Sequence, residues 1–563
     1  MTFLDWIIVL AINGAIIGYG LNLSRGTNKS SDWFLAAKSL PWWMVGLSLF
    51  ATAVDSGDYV AVVGGAYTFG LSNLTTWWLG LPIGWILAAY FVLLPLYRGN
   101  MFTNAEYLEH RFGPTARLLS SFIQIQYRTN ILANIAFSLY LTFSILTNWG
   151  KASWWIVVII AVAAAIYTSI GGLKSVAATD SLQSIIMLLA SVILWTVLWN
   201  TVGGWEGLDT RLHQIDSKMA ESMLHIGRKE PGVPAPLIIF GWVITLTAYC
   251  VVNHSQAMRL LAARSEWDLK TAALLASIIT AGLMWFNITL GILGKAVLPD
   301  LTVPDEIYPR LVQQYLGPGL VGIVVAGVLA GGISTYDSIG SALAAVFTRD
   351  IYARFLIKNR NDTHYLNVAR WATPLIIAAS SIYIPFLQEG MVRFYLRITS
   401  VAVIPLFTIY LMGTLTPVNR RTGNIGLLFG ISYGLSSLLG DTWGWPLPLW
   451  WTNTWWAYLW SPLVTAISML AFSLIWGWAS EKELTGLTSG IQRLHRSTEP
   501  HTVPVPISAI QGTWLEETRQ SLGPVSKYPF SVSSKGLQWY LQPSIWSGLF
   551  LVIIAYLTLV VLW

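Results

Sequence analysis

The chain has 563 residues, of which 55% are hydrophobic and only 11% charged. That excludes an ordinary soluble domain and points to a helical protein that crosses a membrane many times. The net charge of +6 is small for this length, so it is read as a loop bias and gives no reason to expect a nucleic acid partner. The single cysteine, Cys250, excludes an intramolecular disulfide and a cysteine metal cluster.

Unbroken apolar runs of about 20 residues favour helices over the alternating strands of a barrel. They predict fourteen spans, near 3–22, 41–68, 74–96, 117–146, 152–171, 180–200, 235–260, 269–297, 317–348, 367–387, 395–416, 424–440, 455–478 and 544–562. The first run can span and lacks a basic leader, so no cleaved signal is expected. The 30 tryptophans cluster at span ends, as in WPLPLWWTNTWW (445–456), which suits an interfacial belt. Loops after odd-numbered spans carry seventeen Lys and Arg before the long loop 479–543 is counted, against nine after even-numbered spans. The positive-inside rule then puts both termini outside. Residues 201–234 and 479–543, the latter containing STEPHTVPVPIS, are rich in polar and charged residues and are predicted to be solvated linkers.

Few ionisable groups fall inside the predicted spans: Asp55, Asp58, Arg128, Asp180, His254 and Asp337. Such groups are costly in a bilayer and point to function. The second span is interrupted by SGD and the seventh, five later, by NHSQ. A helix can break in a membrane only where its freed backbone faces a cavity. Interruptions at corresponding positions of two halves are the sequence mark of a secondary transporter.

Four stretches resemble one family, the sodium:solute symporters, which include sodium/glucose and sodium/proline transporters. They are the segment from Asp32 through ATAVDSGDYVAVVGGAYTFG, GGLKSVAATDSLQ (171–183), NHSQAMRLLAAR (253–264) and AGVLAGGISTYDSIGSALAAVFTRDIYARF (326–355). The resemblance covers roughly residues 30–420 and keeps the family's order. It implies an all-α polytopic membrane protein with a leucine-transporter-like five-plus-five inverted repeat. Residues 41–200 would be the first repeat and 235–416 the second, with 1–40, 417–478 and 544–563 peripheral. It also implies Na+-coupled import of a small solute at the plasma membrane.

By motif position, the resemblance implies a sodium site built from the carbonyls of Ala51, Val54 and Gly331 and the hydroxyls of Ser334 and Thr335. Oxygen ligands suit this hard cation. Asp55 stands where sugar carriers usually have serine and resembles the proline-transporter branch. It would serve as a sodium-site acid, as the partner of a cationic group on the solute, or in a purely structural role. Asp58 aligns with a substrate-contacting glutamine and would face the solute or the external vestibule. Asn253 fits a substrate-side asparagine. His254 replaces a glutamine and would be a ligand, a proton relay or a satisfied core donor. Asp180 would line the inward sodium exit path, or cap a cytoplasmic helix start. Asp337 and Arg128 are expected to neutralise each other.

The eleventh span lacks the glutamine that sugar carriers use, and position 58 is acidic. Both favour an amino acid, amine or other nitrogenous solute over a sugar. A proton-coupled carrier and a substrate-sensing membrane protein are the alternatives. No metal cluster, nucleophile elbow or phosphate loop suggests an enzyme.

Overall fold

The computed structural model describes residues 1–24, 29–227, 233–389, 391–489, 507–522 and 538–563. Arg25, Arg228, Lys229 and most of STEPHTVPVPIS lie outside the described residues.

The chain begins with α1 (Phe3–Leu23), whose Thr2–Asp5 capping box closes its first turn. The next span is broken into α2 (Trp42–Ala53) and α3 (56–69), with extended backbone at Val54. Then come α4 (Thr76–Arg98), the short loop helix α5 (Asn104–Phe112) and α6 (Pro114–Thr147). A continuous run, Trp154–Val202, is folded at Gly172 (φ 69°) into α7 (154–171) and α8 (173–202). The fold-back is secure, because Tyr167 Oη and Thr179 Oγ1 are 2.6 Å apart. Twelve residues on a straight helix would span about 18 Å.

The second interrupted span comprises α9 (Ala235–Val252) and α10 (His254–Leu261). After it follow α11 (Glu266–Val297), α12 (Leu320–Leu356), α13 (Asp362–Leu387), α14 (Tyr395–Leu415), α15 (Thr422–Trp443) and α16 (Thr454–Trp476). Helix α17 (Trp514–Ser521) is short, and α18 (Pro543–Val561) ends the chain. Twelve helices among the described residues are long and apolar enough to cross a membrane. The fold at Gly172 divides one of them, and α2–α3 adds the broken crossing, which gives the fourteen passes expected. Residues 173–179 extend the sixth span beyond its predicted start at 180.

Two groups of helices surround the breaks. In one, α11 packs on α2 and α3, and α9 packs on α4. In the other, α12 packs on α6, α7–α8 and α13. Small residues allow close approach: a Cβ on Gly291 would lie 2.3 Å from the Val63 oxygen, and one on Gly327 would lie 2.4 Å from the Ala190 Cβ. A single isolated bridge, Leu40 with Ala263, ties the start of α2 to the end of α10. Both termini lie towards one face, since the Met1 amine donates to Leu146 O at 2.8 Å and Ile226 N–H donates to Leu562 O at 2.9 Å.

Both long loops depart from the linker expectation. Residues 204–215 and 217–224 are helical, and Met223 backbone lies so close to Gly70 that a Cβ there would meet its oxygen at 2.4 Å. In the second loop, α17 is docked with Trp514 and Leu515 buried. Composition alone missed this, because a few apolar residues suffice to seat a short helix on an existing surface.

Arg111, Arg117, Arg259, Arg349 and Arg354 belong to the positive-inside count, yet all five are buried. Arg117 bonds Glu109 at 2.7 Å and Asp350 at 2.6 Å, and Arg354 reaches the other oxygen of Glu109 at 2.6 Å. Burial opposes the Glu109 charge, but Arg117 and Arg354 hold its carboxyl below the usual range. Arg117→Ala strands buried Asp350, while Glu109 keeps Arg354, and should cost about 3–5 kcal/mol. The expected result is a large fall in the unfolding midpoint of the purified protein, with a smaller fall for Arg354→Ala at the edge of the cluster.

Candidate functional site

The α2–α3 break explains why two acids sit in DSGD. Asp55 is the residue before α3, and its Oδ1 accepts the Gly57 N–H at 2.7 Å. Asp58, three residues on, returns Oδ2 to the Asp55 N–H at 2.8 Å. The pair is a capping box that satisfies amides released in mid-membrane, and both carboxylates sit at the positive end of α3. The second break repeats the device: Asn253 Oδ1 accepts the Ser255 N–H at 3.0 Å. Each break is therefore capped by an Asx side chain on the amide two residues ahead.

Helix α12 crosses against the first break. Gly331 makes the approach possible, since a Cβ there would lie 3.3 Å from the Asp55 carbonyl carbon. One turn on, Ser334 Oγ donates to Ala51 O at 3.0 Å and to Asp180 Oδ1 at 2.6 Å. Thr335 Oγ1 is buried with no hydrogen-bond partner. Gly331 and Ser334 thus meet Asp55 and Ala51 at the break, with Val54 between these two and Thr335 next to Ser334 on α12. Val54 is extended (φ −113°, ψ 117°), which frees its carbonyl from helical geometry.

Asp180 is not a helix cap. Helix α8 begins at 173, and Asp180 lies in its interior, wholly buried. Its Oδ2 accepts from Ser48 Oγ at 2.5 Å and from Arg259 Nη2 at 3.1 Å. Arg259 also donates to Ser48 Oγ at 2.7 Å and to Ser338 Oγ. One carboxylate therefore joins the Ser334 corner to α10. Arg259 went unnoticed in the sequence because it follows a span among other basic residues. The only signal was its helical spacing from Ser255, whose carbonyl it contacts at 2.9 Å.

A cavity of about 130 Å³ opens beside the break, between α3, α4, α6, α9 and α14. Asp55, Asp58, Arg128, Asn134 and Tyr249 are among its lining residues, with the indoles of Trp77 and Trp242. Arg128 does not pair with Asp337, whose Oδ1 accepts from Thr168 Oγ1 at 2.6 Å. Instead its guanidinium lies 5.2 Å from the Tyr249 ring centre, and Nε and Nη2 have no hydrogen-bond partner. Asn253 and His254 do not line this cavity. Asn253 caps through Oδ1 while its buried Nδ2 has no hydrogen-bond partner, and His254 is buried with both ring nitrogens unpartnered and its backbone N–H donating to Gln124 Oε1 at 3.1 Å.

Known proteins give this geometry its context. The sodium:solute symporter family matches residues 33–431. The chain belongs to the sodium:solute symporter family. Sodium/glucose cotransporter 4 of Danio rerio is 26% identical over 474 residues, spanning 77% of this symporter and 70% of that relative. The sodium/glucose cotransporter of Vibrio parahaemolyticus is 26% identical over 461 residues, 77% of this chain and 83% of that one. Sodium/myo-inositol cotransporter 2 of Bos taurus is 28% identical over 448 residues, 73% and 65%. Among solved structures, a Na+-coupled sialic acid symporter in a substrate-bound outward-open state superposes with a TM-score of 0.74 at 19% identity. It covers 85% of this chain and 99% of that one. The nucleobase-cation-symport-1 family transporter Mhp1 gives 0.53 at 13% identity, covering 82% and 98%. At these identities the structures speak for the fold, a leucine-transporter-like inverted repeat with two broken helices.

This symporter is accordingly a multi-pass membrane transporter and not an enzyme, with Na+ as its coupling ion. Removing the second cap tests the role given to the break. Asn253→Ala should destabilise the purified symporter by about 0.5–2 kcal/mol, and Asn253→Asp, which retains the acceptor, should recover most of it. Equal unfolding midpoints for wild type and Asn253→Ala would remove the cap from the account.

Proposed function

We propose that this symporter imports Na+ together with a small zwitterionic solute, an amino acid in the first instance. The observation that carries the reading is Arg128. It lines the cavity that Asp55 and Asp58 also line, and its buried Nε and Nη2 have no hydrogen-bond partner. A guanidinium fork matches a carboxylate in geometry and charge. The two acids suit an ammonium group at the other end of the same solute. Charge balance agrees: two carboxylates and one guanidinium leave one negative charge, which one Na+ neutralises, and a zwitterion adds none.

The sodium assignment rests on the corner at the break. The carbonyls of Ala51, Val54 and Gly331 with the hydroxyls of Ser334 and Thr335 supply hard oxygen donors, and Asp55 compensates the charge. Thr335 Oγ1, buried without a partner, fits an absent ligand. Asp180 would take the ion onward, because it already shares Ser334 Oγ with this corner. Displacing Arg259 from Asp180 would then accompany opening to the inside. Sodium drives the cycle only through unequal affinity for the two states. Each net charge moved inward gains about 2.3 kcal/mol per 100 mV of inside-negative potential. Residues 41–200 and 235–416 would form the two repeats, with both termini outside the plasma membrane as the basic loops suggest.

A second reading, a hydroxylated solute, has its own support. The relatives are named as glucose and myo-inositol cotransporters, and indoles such as Trp77 and Trp242 can stack on a sugar face.

Uptake by proteoliposomes across amino acids, amines, sugars, inositol and sugar acids, with and without a sodium gradient, separates these readings. The proposal expects a carboxylate-bearing, nitrogenous solute to be taken up only with sodium. Arg128→Gln should raise its half-saturating concentration at least tenfold, the loss of about 1.4 kcal/mol or more from a charged hydrogen bond. Uptake of neutral sugars alone, unaffected by Arg128→Gln, would overturn the substrate class. Transport steep in pH but indifferent to sodium would select proton coupling instead. Separately, Ser334→Ala and Thr335→Ala should each raise the sodium concentration for half-maximal uptake several-fold, as expected for losing one charge-assisted contact of about 1–2 kcal/mol. Unchanged sodium dependence in both would sink the sodium assignment.

A further inference from the structure

Helix α17 lies across the cytoplasmic ends of both helix groups. Arg519 Nε donates to Gly99 O at 2.7 Å, just beyond α4 in the group that carries the broken helices. The other group is held through more contacts. Trp514 meets the Phe34 ring edge-on at 6.4 Å, in the short helix Ser30–Leu35, which precedes α2 but packs on α7–α8 and α13. Trp514 Nε1 donates to Asp362 Oδ1 at 2.6 Å, and its ring stacks on Tyr365 at 4.2 Å, both at the start of α13. Arg349, near the end of α12, donates to Thr518 Oγ1 at 3.0 Å and lies 4.9 Å from the Trp514 ring centre.

The docking surface is prepared for this helix. Burial, with Arg519 and Arg117 adding to it, pushes His110 down to about 4 against the pull of Glu106 and Glu109. The imidazole is therefore neutral at physiological pH, so Nε2 can accept from Arg519 Nη1 at 3.2 Å. In the same conformation the sodium corner is closed from the cytoplasm by wholly buried Arg259 on Asp180.

We infer that α17 is a clasp that ties the two helix groups together at the cytoplasmic face and stabilises the inward-closed state of the transport cycle. Opening to the inside separates the cytoplasmic ends of these groups, so the contacts on one side of α17 must break first. The clasp thereby sets how readily the carrier changes state, without touching the cavity or the sodium corner. The inference rests on the two-group packing and on alternating access. It is independent of which solute is carried.

The test uses the full chain with Cys250 replaced by alanine and spin labels on cysteines at Arg264, just after α10, and Lys358, just after α12. Distances are measured by electron–electron resonance in sodium. The intact clasp should give one predominantly short distribution. Trp514→Ala with Arg519→Ala should add a longer population and weaken apparent affinity for external sodium about twofold or more, as expected when the competent state is depopulated. Trp514→Phe should keep the short distribution. If the double variant does not accumulate, Arg519→Ala alone, at a half-exposed position, serves instead and should shift the distribution in the same direction. Distributions that superpose in sodium for wild type and a folded clasp variant would overturn the inference. Loss of thermal stability with no change in distance would assign α17 a merely structural role, and also overturn it. A failed solute panel with shifted distances would leave the clasp standing and remove only the proposed substrate.

Discussion

A backbone amide without a partner in a bilayer is the constraint on which this structure turns. Two helices stop in mid-membrane, and each must find acceptors for the amides it releases. Asp55 and Asp58 do this at one break and Asn253 at the other. The carbonyls of the incoming helix turn meet side chains of other helices, Ala51 O taking Ser334 Oγ and Thr52 O taking Tyr249 Oη. The residues that make the break tolerable are the ones on which the sodium proposal is built.

From the first break, the polar contacts spread in two directions. On one side, Asp55, Asp58 and Arg128 line the same cavity, and Nε and Nη2 of Arg128 have no hydrogen-bond partner. On the other, Ser334, Asp180, Ser48 and Arg259 form one chain of hydrogen bonds linking α12, α8, α2 and α10. The broken helices are also joined directly, for Tyr249 Oη donates to Thr52 O at 3.2 Å. The corner proposed for sodium is therefore linked to both interrupted helices.

Much of the fold was legible because its signals are long and apolar. Spans of about 20 residues, the SGD and NHSQ interruptions and the four motifs gave the passes and the two breaks. The expectation that Ala51, Val54, Asp55, Gly331, Ser334 and Thr335 form one site came from motif position, since backbone carbonyls leave no mark in composition. What stayed hidden depended on long-range partners. Arg128 looked like a charge in need of Asp337, but Thr168 holds Asp337 and the guanidinium lies by the Tyr249 ring. Asn253 and His254 were expected beside the solute, and only three-dimensional placement shows that one is a cap and the other is buried away from the cavity. Arg259 and Arg117 passed as loop charges, since the sequence cannot tell a basic residue in water from one buried on an acid. The seating of α17 was invisible for the same reason: Trp514 finds Tyr365 and Asp362 about 150 positions away in the chain.

The central claim is that the DSGD break and the sodium site are one structure. Hydrogen exchange across residues 51–58 of the purified symporter, in sodium and in choline at equal ionic strength, tests it most directly. The account predicts that sodium slows exchange of the Asp55–Asp58 amides about tenfold or more, because the ion holds the unwound turn and its caps in place. Exchange at the same rate in both salts, under conditions where sodium still drives uptake, would contradict it.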